Sequence, residues 1–478
     1  LYHSPSFYIP LSTMRVSLKT ILLILAHVFV FNFLFVFRYP IQEAFAHQKE
    51  WKYGHGTFRG NALAYLKLYY SNITDEAYYY EWSTIVLGKS FEKAYPFEKR
   101  DKSPFYEHFF KPPSPHLPYR DIEFEYPPLM LLPLLLPRLV SHDYLGYIRL
   151  LSVFLSLIYL TCLAIFYQLW KKIPEAERFA WHRILFLSLL SILCLGQIFV
   201  TRLDVFPNLF SLLALLFFLN KKYTSCAFWI VLGTLTKGYA ILLAPLFGIV
   251  LLLQKKYKDL SVSISWILLL LTGVSLALGY YTEGHYWDSF RFHANRGIQI
   301  ESIYAMIPYS LYLFCKTHIF VYNSHNAVDI TMSGIHYLLS CAKLLPPLLF
   351  LALYFIFWKK SKTLKEIHPL WLIQSSFLVI FSFMISFKVL SPQFLIWLIP
   401  LIFLISPAHK KEFYFLFLAL LLLTQIIYPN FYWMLSDETH PEGVALLLTR
   451  NIALLILYGW AVKDWIARPL SSPSHADF

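Results

Sequence analysis

The chain has 478 residues, of which 14% are charged, 58% hydrophobic and 19% aromatic. A soluble domain averages about 25% charged residues, so the composition excludes an ordinary soluble enzyme and points to an integral membrane protein. The net charge of +13 does not call for nucleic acid as a partner, because cytoplasmic loops of membrane proteins concentrate Lys and Arg.

Residues 1–17 read as a cytoplasmic N-terminus, and the apolar run at 18–37 as the first span. That run lacks a small-residue cleavage site, so a retained helix is expected there and not a signal peptide. A long external loop follows at 38–145, mixing charges of both signs with aromatics, and short interfacial helices are expected in it. Its segment 126–140, "YPPLMLLPLLLPRLV", holds four prolines and is short for a span, so it is expected to lie along the interface. Further spans are expected near 146–169, 184–200, 205–220, 224–236, 238–254 and 261–281, a core membrane bundle over 146–281. A second external loop covers 282–334. The C-terminal bundle, 335–464, holds spans near 335–358, 369–387, 392–406, 412–428 and 443–464, and a cytoplasmic tail occupies 465–478. The fold class is therefore an all-α polytopic membrane protein of about twelve helices. Internal repeats are not evident. Cys162, Cys194, Cys226, Cys315 and Cys341 show no paired spacing, so neither a disulfide framework nor a metal site is indicated.

Charge placement supports this topology. With 126–140 lying flat, the basic groups Arg15/Lys19, Lys171/Lys172, Arg178/Arg183, Lys221/Lys222, Lys255/Lys256/Lys258, Lys359/Lys360/Lys362/Lys365, Lys410/Lys411 and Lys463/Arg468 all fall on one side, as the positive-inside rule requires. Counting it as a span would scramble that pattern.

The membrane-edge motifs left unexplained by the rule fall on the other side. They are "NITDEAYYYEW" with Asp75, "FEYPPL" at 124–129, "TRLDVFP" at 201–207, "TKGYA" at 236–240, "RFHANRGIQIES" at 291–302 and "KVLSPQFLIWLIP" at 388–400. Ionisable groups at the hydrocarbon edge are costly and tend to line a cavity or path. Arg202, Lys237, Arg291, His293, Arg296 and Lys388 suit an anionic group such as a phosphate, which Arg and Lys complement by charge and donor geometry. Asp75 is placed to deprotonate a hydroxyl. Blander roles compete: Asp75 as a helix cap, Arg202–Asp204 as a structural ion pair, Lys237 as a snorkelling side chain, and Lys388 as an interface anchor. Gln299 and Glu301 are expected to orient the arginines, and Pro127 and Pro128 to fix the chain. Arg450, inside the last span, has no role from sequence.

The order Asp75-x-x-x-Tyr79, Gly88, "YPP", "RLD", "TK", "H-x-x-R-G-x-Q-x-E-S" and "SPQ" closely resembles the GT-C glycosyltransferases. More narrowly it resembles glycosyltransferase family 87, the polyprenyl-phosphate-mannose-dependent mannosyltransferases, over about residues 18–406. The resemblance implies a GT-C-like bundle with Asp75 as the catalytic base on the first external loop. It implies a polyprenyl-phosphate-sugar donor, with mannose as the sugar, and no nucleotide-sugar site; a glycolipid or glycan is the expected acceptor, and no metal or other cofactor is expected. Arg202, Lys237, Arg291, His293, Arg296 and Lys388 would hold the donor phosphate, with Tyr79, Tyr126, Asp204, Gln299, Glu301 and Gln393 supporting them. The implied setting is a bacterial inner membrane with the site on its periplasmic face. The insertion "EKRDKSPFYEHFFKPPSPHLPYRDIE" is longer than the pattern expects, so acceptor preference does not transfer. A secondary transporter of an anionic solute and a lipid-linked glycan ligase or flippase are the competing readings, and Asp101, Asp121 and Glu123 are the competing carboxylates.

Overall fold

A computed structural model describes residues 17–46, 76–91, 114–174, 179–324, 327–364, 366–405, 410–436 and 439–468. In chain order the helices begin with α1 (Leu18–Ala46), α2 (Glu76–Val86), α3 (Leu131–Val140) and α4 (Tyr144–Lys172). Then come α5 (Trp181–Leu195), α6 (Gln197–Thr201), α7 (Val205–Leu219), α8 (Tyr223–Thr236) and α9 (Leu243–Leu253). After α10 (Tyr257–Tyr281) the second loop carries α11 (Asp288–Asn295) and α12 (Met306–Cys315). The last part holds α13 (Ile335–Ser361), α14 (Pro369–Ser386), α15 (Ile399–Ile402), α16 (Lys410–Gln425), α17 (Trp433–Ser436) and α18 (Pro441–Ala467). Most of the apolar runs expected to span fall on α-helix, but 392–406 does not: it is a 3₁₀ turn, Pro392–Trp397, followed by the four-residue α15, because Pro392 and Pro400 interrupt the run. Among the described residues, six helices are long and apolar enough to cross a membrane.

Local chemistry sets several of these ends. The Asp143 carboxylate accepts from Gly146 N–H and caps α4, while Lys171 and Lys172 close its last turn, where cations suit the helix dipole. Pro369 and Pro441 open α14 and α18, where a missing N–H loses no helical bond. Gly196 breaks α5 from α6 at φ 53, a left-handed backbone that glycine adopts readily.

The proline-rich segment 126–140 becomes a 3₁₀ turn, Pro128–Met130, followed by the ten-residue α3. At 1.5 Å per residue α3 is about 15 Å long, half a hydrocarbon core. It is tied to α2 through buried Arg138, whose Nε donates to Thr84 Oγ1 at 2.8 Å and whose Nη1 donates to the Ser141 carbonyl at 2.7 Å. The same guanidinium lies 5.0 Å from the Tyr80 ring centre.

Side-chain contacts sort the helix ends into two groups. At one end Lys221 faces Glu366 at 3.8 Å, Lys256 donates to the Tyr223 hydroxyl, and Lys360 donates to the Trp465 and Arg468 carbonyls. Trp170 Nε1 donates to the Phe179 carbonyl, and the Phe179 ring meets Tyr414, which joins the end of α4 to the start of α16. Lys221, Lys256 and Lys360 thus lie past or within the last turns of α7, α9 and α13, whereas Asp204 and Lys237 meet at the first turn of α7 and the end of α8.

The second loop departs from an all-helical expectation. Strands β1 (Ile298–Gln299), β2 (Phe320–Ser324) and β3 (Ala327–Thr331) form an antiparallel sheet in the order β1-β3-β2. Ile298 pairs with Ile330, and Val321 pairs with the same residue from the other side. Ile298, Ile300 and Ile330 bury against Tyr309, Leu435, Val444 and Leu447, so this sheet is seated on the start of α18.

Candidate functional site

Helices α7 and α8 have 15 and 14 residues. They run about 22 and 21 Å, several ångströms short of a 30 Å hydrocarbon core. Asp204, at the start of α7, and Lys237, just past α8, meet where these short helices stop. Lys237 Nζ lies 2.7 Å from Asp204 Oδ1, and Trp397 Nε1 donates to the same oxygen at 2.8 Å. The lysine also faces the Phe394 and Trp397 rings at 5.2 and 5.3 Å from their centres. Tyr239 stacks on Trp397 at 4.3 Å and donates to Asn208 Oδ1 at 2.9 Å, and Asn208 Nδ2 donates to the Ile396 carbonyl at 2.8 Å. Three segments distant in sequence are thus pinned around one carboxylate. The expected alternative, an Arg202–Asp204 pair, is not what forms: Asp204 bonds Lys237.

Above this hub lies the "HANRGIQIES" motif. Lys388 Nζ donates to the Ala294 and Arg296 carbonyls at 2.8 and 2.5 Å, so its stem fixes the turn that carries Arg296. Gln299 is bonded twice to the 388–390 strand of chain, its N–H to the Lys388 carbonyl and its Oε1 from Leu390 N–H. Gly297 donates to Asp329 Oδ2 at 2.9 Å, and a Cβ at this glycine would lie 2.7 Å from the Tyr322 hydroxyl. Close approach therefore requires glycine here.

His293 Nε2 lies 3.0 Å from the Glu125 carbonyl, to which it donates. Burial pulls the His293 pKa below its ordinary value, against the effect of that hydrogen bond. The Glu125 side chain is half-buried and interacts electrostatically with Arg296 and Lys237. Burial pushes its carboxyl up to about 7, Arg296 and Lys237 pull it down, and Glu123 pushes it up again. Glu125 also shares a hydrogen bond with Tyr126, and Tyr126 with Tyr79 of α2. Trp82 and Phe124 pack edge-on beside Tyr126, holding this loop on α2. Burial lowers the Lys388 pKa, with Asp329 opposing.

A second polar chain runs from Arg202. Its Nη2 donates to the Tyr428 hydroxyl at 2.7 Å, and its charge interacts with Glu301. Glu301 sits 3.5 Å from Arg450 Nη2, with both side chains 1% exposed. Arg450 and Asn451 also donate to the Glu301 carbonyl, at 3.2 and 3.3 Å. Arg450, without a role from sequence, is the counter-charge that lets Glu301 be buried.

The structure therefore brings Lys237, Arg296, His293, Lys388, Asp204, Tyr79, Tyr126, Gln299 and Glu301 into one region, with Arg202 alongside. Gln393 is half-buried in the 3₁₀ turn Pro392–Trp397 that presents Trp397. Arg291 does not join: it is 78% exposed on α11 and paired with Asp288 at 2.9 Å. Asp75 and Asp101 lie outside the described residues. Asp121 pairs with exposed Arg120 at 2.8 Å, and Glu123 is exposed. The residues that sequence reading missed are Glu125, Trp397, Tyr428 and Arg450. Glu125 carried one signal, its place beside the double proline that fixes Tyr126.

No protein-family model, curated protein or solved structure matches this chain.

Proposed function

We propose that the chain is an inverting membrane glycosyltransferase that moves a sugar, mannose on the family resemblance, from polyprenyl phosphate to a glycolipid or glycan hydroxyl. On this reading the fold is a GT-C-like bundle of about twelve spans in a bacterial inner membrane, with α2 and α3 as interfacial helices. The observation that supports it most is the convergence of Lys237, Arg296, His293 and Lys388 at the end remote from the basic clusters. By the positive-inside rule that end faces outward. On this reading the shortness of α7 and α8 leaves Lys237 recessed from the outer surface, so that the donor phosphate would be drawn inward to reach it.

The chemistry follows from charge. As the acceptor oxygen bonds to the anomeric carbon, the bond from that carbon to the phosphate oxygen breaks and the electron pair leaves with the phosphate. Preplaced cations stabilise that growing charge more than they stabilise the intact donor. The acceptor's proton goes to a carboxylate, for which Asp75 is the proposed base. A leaving phosphate needs little acid assistance, so one base is enough for inversion.

An anionic-solute transporter is the second reading, favoured by the break at Gly196, because transporters bind at interrupted helices. Purified protein in liposomes, given radiolabelled polyprenyl-phosphate-mannose and membrane glycolipid extract, separates the two. Labelled product that is no longer cleaved by mild acid supports transfer. Absence of product, together with uptake of radiolabelled phosphate into the lumen when it is supplied outside in a parallel assay, would overturn it.

A further inference from the structure

We infer that Glu125 competes with the donor's phosphodiester for Arg296 and Lys237, and takes up a proton as the phosphodiester binds. This rests on the lipid-phosphate reading above and adds a regulation of the same site.

The argument begins with who faces whom. Arg296, from the turn after α11, and Lys237, from the end of α8, both act on the Glu125 carboxyl. Glu123, on the same loop, repels it, and the Tyr126 hydroxyl bonds it. His293 holds the Glu125 carbonyl, so the carboxyl cannot move far from these cations. Pro127 and Pro128 restrict the chain on its other side. Lys237 is already engaged by Asp204, which is 3% exposed and also bonded by Trp397. Among the described residues, the buried Nε of Arg296 has no hydrogen-bond acceptor. Arg296 thus has donor capacity for an anion, and Glu125 is the titratable carboxyl beside it.

A phosphodiester drawn to Arg296 and Lys237 would meet an ionised Glu125 as a like charge. Protonation removes the repulsion and turns the carboxyl into a hydrogen-bond donor to a phosphate oxygen. The carboxyl is poised for this, because burial has brought its titration near neutrality. The sign follows from linkage: binding favours protonated Glu125, so affinity falls as pH rises through 7. If the complex keeps the proton throughout, the dissociation constant rises about 25-fold between pH 6.5 and 8.5.

The test is calorimetric titration of the full chain in detergent with farnesyl methyl phosphate, a singly charged diester whose own charge is constant over this range. Wild type should lose about 25-fold in affinity from pH 6.5 to 8.5 and take up close to one proton at pH 8.5, read from buffers of different ionisation enthalpy. Glu125→Gln should bind with a flat profile and, at pH 8.5, more tightly than wild type. His293→Gln should retain the slope. Dimethyl phosphate, which lacks the chain, should bind more weakly with the same slope. The proton count needs no variant, so a poorly folded Glu125→Gln leaves the inference testable. Pronounced binding without proton uptake, or a slope that persists in Glu125→Gln, overturns this inference and leaves the donor reading standing. No binding by wild type at either pH overturns both.

Discussion

Asp204→Asn probes whether the hub beneath the site is held by charge. The substitution keeps size and an oxygen for Trp397 Nε1, so the indole hydrogen bond of 2.8 Å can survive. What is lost is the negative charge 2.7 Å from Lys237 Nζ. The partners are 16% and 3% exposed, so water screens the pair little and cannot rehydrate the lysine fully. Removing one partner of such a pair typically destabilises by about 3–5 kcal/mol, because a buried charge is left uncompensated. Replacing both, as Asp204→Asn with Lys237→Met, removes the unpaired charge and should recover all but about 1–2 kcal/mol. Thermal and SDS-induced unfolding of the four proteins in detergent micelles give the cycle, with an expected coupling of at least about 2 kcal/mol. The same four proteins separate architecture from binding: the double variant should be stable yet bind prenyl phosphodiester poorly. Additive losses, or an Asp204→Asn variant within about 0.5 kcal/mol of wild type, would mean that the hub is not held by this charge pair.

Three further outcomes are expected. Single cysteines at positions 100 and 295 should react with an impermeant reagent on intact cells, and those at 175, 256, 362 and 410 should not; outside labelling at 256 would refute the shared external site. Arg296→Ala should weaken prenyl phosphodiester binding by about 1.5–3 kcal/mol, or roughly 10- to 150-fold, whereas Arg291→Ala, on the exposed face of α11, should stay within about twofold. Equal losses would return both residues to a general electrostatic role. Gly297→Ala places a methyl group 2.8 Å from Asp329 Oδ2, a side chain with no exposed surface, and should destabilise by about 1–3 kcal/mol in a thermal melt. A melt like that of wild type would mean that the turn is free to shift.

The helices were legible because apolar runs and Lys/Arg punctuation are local signals, and the shortness of the helix within 126–140 was legible in its prolines. The sheet of the second loop was harder to read. Its strands are two to five residues long and acquire a buried face only against α18. The polar partners were illegible for a related reason. Asp204 has Arg202 two residues away, yet it bonds Lys237, 33 residues on, and Trp397, 193 residues on. Arg450 looked like an anomaly in an apolar helix until the fold set Glu301 against it, 149 residues back in the chain. Glu125 was passed over for Glu123 and Asp121, which the fold leaves at the surface. No local pattern says which of three nearby carboxylates faces a cation brought from α11.

If the chain transfers sugar with Asp75 as the base, single-turnover transfer by the Asp75→Asn variant must slow. Asparagine preserves size and the ability to cap a helix, so a structural role predicts near-normal turnover. With labelled polyprenyl-phosphate-mannose and purified protein, the expected rate is at least about 100-fold below wild type, with donor affinity and melting temperature unchanged. Transfer at the wild-type rate by the asparagine variant would contradict a base role for Asp75.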